Sequence, residues 1–445
     1  MFNTARRTVR GAGLASVLAL ALTLTACGGS SDDSADTGPG DVKAALDQGG
    51  TLTVWTWDLT MKKVAKDFQA AHPKVKVNVV NAGTGKDQYT ALQNAISAGK
   101  GVPDVAQIEY FALGQFSLAK SVTDLSKFGA DKLGDAYSPG PWNAVTSGGG
   151  VHGLPLDSGP MALYYNKKVF DQHKIEVPKT WDEYVTAAEK LHKADPKVYI
   201  GADTGEAGFA TSMIWQAGGH PYSVDGTKVG VDFTDAGSAL YAKTWQKLID
   251  GKLLAPVTSW TDEWFKGLGD GTIATLPTGA WMPTNLSTGA AAAKGDWRVA
   301  PLPQWKAGDK VSAENGGSSL AVPSAGKNQA LAYAFTEYAA NGAGVKSRVD
   351  EGAFPATTAE LNSPEFLNKK FDYFGGQEAN KIFSASAAEV APDWTYLPFQ
   401  VYANSIFNDT VGKAYASGTT LTEGLAQWQK QSRDYGAEQG FTIAK

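Results

Sequence analysis

Residues 51–80 read TLTVWTWDLTMKKVAKDFQAAHPKVKVNVV, and their pattern sets the fold class. Thr51 to Trp57 is rich in β-branched and aromatic residues, the composition of a strand. Met61, Val64, Ala65 and Phe68 fall at i, i+3, i+4 and i+7, so a helix here carries one apolar face. His72-Pro73 stops it, because the residue before proline is pushed out of the helical region. Val75, Val77 and Val79 then alternate as a second strand.

The alternation continues outward. Tyr89, Leu92 and Ile96 mark a second helix ending at Gly99, and Pro103 to Ile108 reads as a third strand. Thr180 and Glu183 form a capping-box pair ahead of a helix with Trp181, Tyr184, Val185, Ala188 and Leu191 on one face. Leu331, Ala334, Phe335 and Tyr338 repeat the spacing, as do Leu421, Leu425 and Trp428. Strands alternating with helices of about three turns predict an α/β fold with mainly parallel sheets. From Gly50 the chain has about 395 residues, enough for two or three domains.

The N-terminus reads differently. Arg6, Arg7 and Arg10 precede an apolar run from Leu14 to Ala26, which ends at Leu24-Thr25-Ala26-Cys27. A basic segment, a short apolar run and a small-residue cleavage site are the marks of a secretory signal over 1–26. Cys27, the only cysteine, sits where bacterial lipoproteins, which this segment resembles, place the lipidated residue. Residues 27–49 are polar and read as a flexible tether. Removing the leader takes the net charge from −5 to −8. An acidic chain without a basic cluster argues against nucleic acid as a partner.

Motifs for catalysis are missing. The five histidines have no i+3 or i+4 partner, which leaves no metal cluster, and no motif asks for a cofactor. Gly83-Thr84-Gly85-Lys86-Asp87 fails as a phosphate loop, with Val80 in place of the first glycine and Asp87 in place of Ser or Thr. No Gly-x-Ser-x-Gly elbow is present. The excess is aromatic, with 13 Trp, 16 Tyr and 18 Phe. Many stand beside carboxylates at strand ends, as in Trp57-Asp58, Glu109-Tyr110-Phe111, Trp260-Thr261-Asp262, Gly279-Ala280-Trp281 and Asp393-Trp394-Thr395-Tyr396. A sugar's C–H face packs on such rings, and its hydroxyls pair with carboxylates and amides. Trp181, Trp245 and Trp428, on helical faces, belong to the core by this reading.

From Gly50 onward the chain resembles the extracellular solute-binding proteins of bacterial carbohydrate ABC importers. The likeness rests on GTLTVWTWD (50–58), GVPDVAQIEY (101–110), GLPLDSGPMALYYNKKVFDQ (153–172), VPKTWDEYVTAAEKL (177–191) and GDGTIATLPTGAW (269–281). It implies a two-lobed periplasmic-binding-protein-like fold, with a sugar held in the cleft and enclosed by hinge closure. The lobes would divide as 50–154 and 303–385 against 155–302 and 386–445, with crossings near Leu154-Pro155-Leu156, Ala300 to Pro303, and 380–392.

Family contacts carried onto matching positions give Trp281 as the stacking ring and Asp157 as the hinge-side carboxylate. They add Glu109 and Tyr110, Trp57 and Asp58, Asn315 with Gly316 and Gly317, Trp394 and Tyr396, and Glu206 with Phe209. The implied partners are a sugar, the importer's transmembrane subunits and, through a lipid on Cys27, the outer face of the cytoplasmic membrane; the protein would be a monomer. Two alternatives stand. One is the same fold holding a polyamine or glycerophosphodiester, for which Arg298 and Arg348 lie off the matched positions. The other is a secreted carbohydrate-active enzyme, which needs a carboxylate pair roughly 5–10 Å apart.

Overall fold

Eight strands carry the architecture of the computed structural model, which describes residues 39–444 apart from Ser417. They are β1 (Gly50–Trp55), β2 (Val75–Val80), β3 (Val105–Glu109), β4 (Leu154–Pro155), β5 (Met161–Asn166), β6 (Thr275–Gly279), β7 (Trp297–Pro301) and β8 (Ser318–Ala321). The first sheet runs β2-β1-β3-β8-β4 and the second β6-β5-β7. Each has its own core, and the chain passes between them through residues 156–160 and again through 302–317. This is a two-lobed α/β protein.

The opening strand–helix–strand unit forms as its periodicity predicts. β1 and β2 pair in parallel from Gly50↔Val75 to Trp55↔Val80. The helix between them, Met61–Ala71, buries Met61, Val64, Ala65 and Phe68. Met61, Val64 and Phe68 each gain roughly 1.5–3 kcal/mol by leaving water, and the smaller Ala65 gains less. Thr180 and Glu183 close a capping box on Trp181–Ala194, and Thr420 and Glu423 close another on Leu421–Glu438. Trp181 and Trp428 are fully buried.

The second sheet is antiparallel throughout, not mainly parallel. β6, the helix Met282–Gly289 and β7 make a strand–helix–strand unit, but its strands are separated by β5, which runs the other way. β8 is likewise inserted antiparallel between β3 and β4. The local alternation of strands and helices is real; the inserted strand comes from far along the chain.

Two boundaries also move. The expected tether ends early, because Pro39–Gln48 is a helix. Val42, Ala45 and Leu46, at i, i+3 and i+4, pack on the first core, an apolar face among polar neighbours. Residues 27–38, with Cys27, lie outside the described residues. The expected third crossing, at 380–392, comes sooner. Helix Ala343–Asp350 packs on Met61–Ala71, whereas Phe354, Phe366, Phe374 and Phe383 are buried in the core beside β5 and β7. Four phenylalanines in one apolar cluster bind residues 354–383 to the second lobe.

Candidate functional site

A cleft of about 730 Å³ opens where the carboxyl ends of β1 and β3 face the end of β6. Its residues follow from the strand ends. β1 delivers Trp57 and Asp58, β3 delivers Glu109, the first crossing delivers Asp157, and β6 delivers Trp281. Ligand sites gather at such ends because side chains there leave the sheet and converge.

One buried amide organises the first-lobe side. Gln107 Oε1 accepts from Thr56 Oγ1 (2.5 Å) and from the Trp57 and Asp58 backbone N–H groups (3.2 Å each). Its Nε2 donates to Ser318 Oγ at 2.8 Å, which in turn donates to Asp157 Oδ1 at 2.8 Å. The Ser318 N–H reaches the same Asp157 oxygen at 2.6 Å. Asp58 and Asp157 are therefore set by one hydrogen-bonded chain.

The carboxylates divide by environment. Burial pushes Asp58 up, but the Arg348 guanidinium and two bonds from Thr60 outweigh it and hold the carboxyl below its usual range. Arg348 Nε and Nη2 donate to Asp58 Oδ2 at 3.1 and 2.9 Å. Burial raises Glu109 to about 7, with the nearby Asp157 charge adding to the rise. Tyr89 hydroxyl donates to Glu109 Oε2 at 2.8 Å. Burial raises Asp157 to about 6, against the pull of Arg348 and Ser318. Across the cleft, burial also raises Glu206 and Asp203. Among the described residues, Glu109 Oε1 and Asp157 Oδ2 receive no protein hydrogen bond.

Trp281 stands half-buried with its Nε1 donating to the Asn315 carbonyl at 2.7 Å, which fixes the indole plane. A side chain at Gly279 would collide with that nitrogen, and one at Gly316 would meet it at 3.1 Å. Gly317, at φ +96°, approaches the Tyr110 ring, where a Cβ would sit 2.6 Å from Cε2. The two glycines thus let Trp281 and Tyr110 close on the second crossing.

Most of the expected residues line this cleft together: Trp57, Asp58, Glu109, Asp157, Glu206, Phe209, Trp281, Asn315, Gly316, Gly317 and Tyr396. Two are placed elsewhere. Tyr110 is buried, and its hydroxyl donates to the Asp157 carbonyl at 2.5 Å, so it supports the crossing. Trp394 stacks on Trp215 with ring centres 4.9 Å apart, which draws it off the cleft wall. Sequence reasoning passed over Gln107 and Ser318, set Arg348 aside as off the matched positions, and put Trp245 in the core alone. Trp245 is indeed buried, yet it also forms part of the wall and donates to Asp203 at 2.8 Å. Arg348 reaches the cleft despite standing off the matched positions, but Asp58 neutralises it. Among the described residues, no group of three or more His, Cys, Asp or Glu is placed to hold a metal.

Two lobes, crossing segments and a cleft between them define a solute-binding protein. Residues 54–346 match the bacterial extracellular solute-binding protein family, and the chain belongs to it. It is similar to an ABC transporter associated binding protein from B. animalis subsp. lactis Bl-04, solved in complex with β-1,6-galactobiose: 45% identity, TM-score 0.83, covering 89% of this chain and 99% of that one. It is also similar to the galacto-N-biose-/lacto-N-biose I-binding protein of Bifidobacterium longum, solved with lacto-N-biose. That match has 25% identity and TM-score 0.75, over 89% of this chain and 99% of that one. The lactose-binding protein of Rhizobium radiobacter is 24% identical over 86% of this chain and 92% of its own length.

Proposed function

We propose that this protein captures a short oligosaccharide outside the cell and delivers it to a bacterial ABC importer, the ligand being a β-galactosyl disaccharide. The observation that carries the reading is the pairing of a locked indole, Trp281, with the carboxylates Glu109 and Asp157 in one cleft. The ring offers a flat face to the sugar's C–H groups. The carboxylate oxygens that receive no protein donor accept its hydroxyls. A volume of about 730 Å³ suits a small ligand and leaves room for two sugar units. β-1,6-Galactobiose, lacto-N-biose and lactose, named for the three relatives, are all β-galactosyl disaccharides.

Capture proceeds by closure about the crossings at 156–160 and 302–317. These lie side by side, with the Asn315 N–H donating to the Gly159 carbonyl at 2.8 Å. Closing removes water, so the carboxylate–hydroxyl bonds and the ring contact strengthen together. A lipid on Cys27 holds the protein at the outer face of the cytoplasmic membrane, as a monomer, and the cleft turns over nothing. A polyamine is the second reading, favoured by the gathering of Glu109, Asp157, Asp203 and Glu206 in one cleft whose Arg348 is neutralised by Asp58.

Thermal unfolding of residues 39–445 with β-1,6-galactobiose, lactose, spermidine and glycerophosphocholine tests this. At 100 times its Kd a ligand stabilises by about 2.7 kcal/mol. A shift with the galactosides, without any cleaved product, supports the proposal. A shift with spermidine alone replaces the sugar reading, and a released monosaccharide moves the protein to the enzymes.

A further inference from the structure

The crossings at 156–160 and 302–317 are paired at two places. At one, the Leu156 N–H donates to the Ser318 carbonyl at 2.8 Å, and the Ser318 N–H and hydroxyl hold the Asp157 carboxylate. At the other, the Asn315 N–H donates to the Gly159 carbonyl at 2.8 Å and the Met161 N–H to the Ala313 carbonyl at 3.0 Å. Between these stretches lie Gly316 and Gly317, at φ +78° and +96°, where the backbone has the freedom that only glycine gives. Asp157 belongs to the first stretch. Trp281, through its bond to the Asn315 carbonyl, belongs to the second. A twist at the two glycines would part them.

One side chain spans this joint. Glu314 is 4% exposed, and its carboxylate accepts from the Ser158 hydroxyl at 2.8 Å and from the Gly159 N–H at 2.5 Å. Ser158, buried and next to Asp157, stands between the two paired stretches on the first crossing. The Glu314 carbonyl accepts from Ser212 Oγ at 2.8 Å, so the base of the side chain is fixed to helix Ala207–Gln216 of the second lobe. Glu314 lies behind the cleft wall, which Asn315, Gly316 and Gly317 line. Burial raises its carboxyl to about 7 against those two bonds, and the Asp157 charge adds to the rise. Filling the space would ask only for an apolar side chain. What the carboxylate adds is two acceptors aimed at the first crossing.

We propose that Glu314 is a positioning residue: its carboxylate clamps Ser158 and Gly159 across from the Gly316–Gly317 joint and so holds Asp157 and Trp281 in one fixed relation. The consequence for binding rests on the sugar reading above, in which these two groups meet the ligand from either side of the joint. With the clamp in place both are set before the sugar arrives, and less freedom is lost on binding.

The test compares wild type with Glu314→Ala, Glu314→Gln, Trp281→Ala and the double variant Glu314→Ala/Trp281→Ala. Affinity for β-1,6-galactobiose is read by calorimetry and ligand-free stability by thermal unfolding. The spread of interlobe distances is read by electron–electron resonance from spin labels at Gln93→Cys and Lys243→Cys, both exposed, in the full chain carrying Cys27→Ser. Glu314→Ala is expected to bind the disaccharide about 10-fold more weakly, although it removes no cleft contact, and to broaden the ligand-free distances. Glu314→Gln keeps an acceptor for Gly159 and a donor for Ser158, so its affinity should stay within about 3-fold of wild type and its distances narrow. In the Trp281→Ala background, removing Glu314 should cost about 3-fold or less, because groups in one network do not add. A further loss of the full 10-fold would mean that the two act independently, and overturns the proposal. So does a Glu314→Ala protein with a lower melting temperature but wild-type affinity and distances, since the carboxylate would then only support the fold. Should Glu314→Ala not fold, Ser158→Ala removes one of the two bonds and is read by the same measurements. A wild type that binds no galactoside refutes the sugar reading, whereas broadened distances in Glu314→Ala would still uphold the clamp.

Discussion

Acidifying the solution from pH 8 to pH 5 should weaken galactoside binding about 100-fold through Glu109 alone. Its carboxyl titrates near 7, because burial disfavours the charge. A sugar hydroxyl donates to the ionised carboxylate, so the ionised form is the competent one. A group titrating near 7 is about nine-tenths ionised at pH 8 and about one-hundredth at pH 5. Apparent Kd is the intrinsic value divided by the competent fraction, which gives the factor of about 100. Asp157, near 6, adds up to about tenfold, and the two interact, so the steps belong to the pair. Asp58 stays ionised across this range because Arg348 holds it low. Calorimetry with β-1,6-galactobiose at pH 5, 6, 7 and 8 reads the effect, and binding near neutrality should release protons. Glu109→Gln should reduce the change to about tenfold, what Asp157 alone supplies. Ligand-free stability should run the other way. Folded Glu109 keeps its proton up to about 7, whereas the unfolded side chain loses it near 4.5, so its contribution falls as pH rises between those values. A Kd that is flat, or tighter at pH 5 with the fold intact, refutes the reasoning: the carboxyls would then donate to the sugar, not accept.

Arg348→Met should cost about 3–5 kcal/mol in urea unfolding, because it strands Asp58 as an uncompensated carboxylate. The added Asp58→Asn change should recover part of that, and a cost below about 1 kcal/mol would mean water already reaches the pair. Trp281→Ala should weaken disaccharide binding by at least about tenfold, and calorimetry showing no loss would remove it from the site. Gly317→Ala should lower stability by about 1–3 kcal/mol through a strained φ of +96° and a clash with Tyr110, again read in urea. Cys27→Ser should move the full-length protein from the detergent phase to the aqueous phase on Triton X-114 partition; equal partition of both forms would dismiss the anchor.

What could be read from the sequence depended on how far apart the cooperating residues lie. The apolar face of Met61, Val64, Ala65 and Phe68 is written within two turns, so the helix was legible. The antiparallel order of the second sheet was not, because β5 pairs with strands that follow only at Thr275 and Trp297. Helix Pro39–Gln48 carries just Val42, Ala45 and Leu46 on its apolar face, and its composition masked them. The cleft shows the same division. Trp57, Glu109 and Trp281 stand just past strands or at their ends, positions that periodicity locates. Tyr110 stands next to Glu109, but a helix begins at it, and that change of direction sends its ring beneath Gly317. Arg348 was unreadable for the opposite reason. Its partner Asp58 lies 290 residues away, and nothing local to either signals the other. That ion pair also changes the cleft's chemistry. Without it, Asp58 would be a third acceptor for ligand hydroxyls and Arg348 an attractor for phosphate. Together they form a neutral wall, which in the proposed reading leaves recognition to Glu109, Asp157 and the indoles.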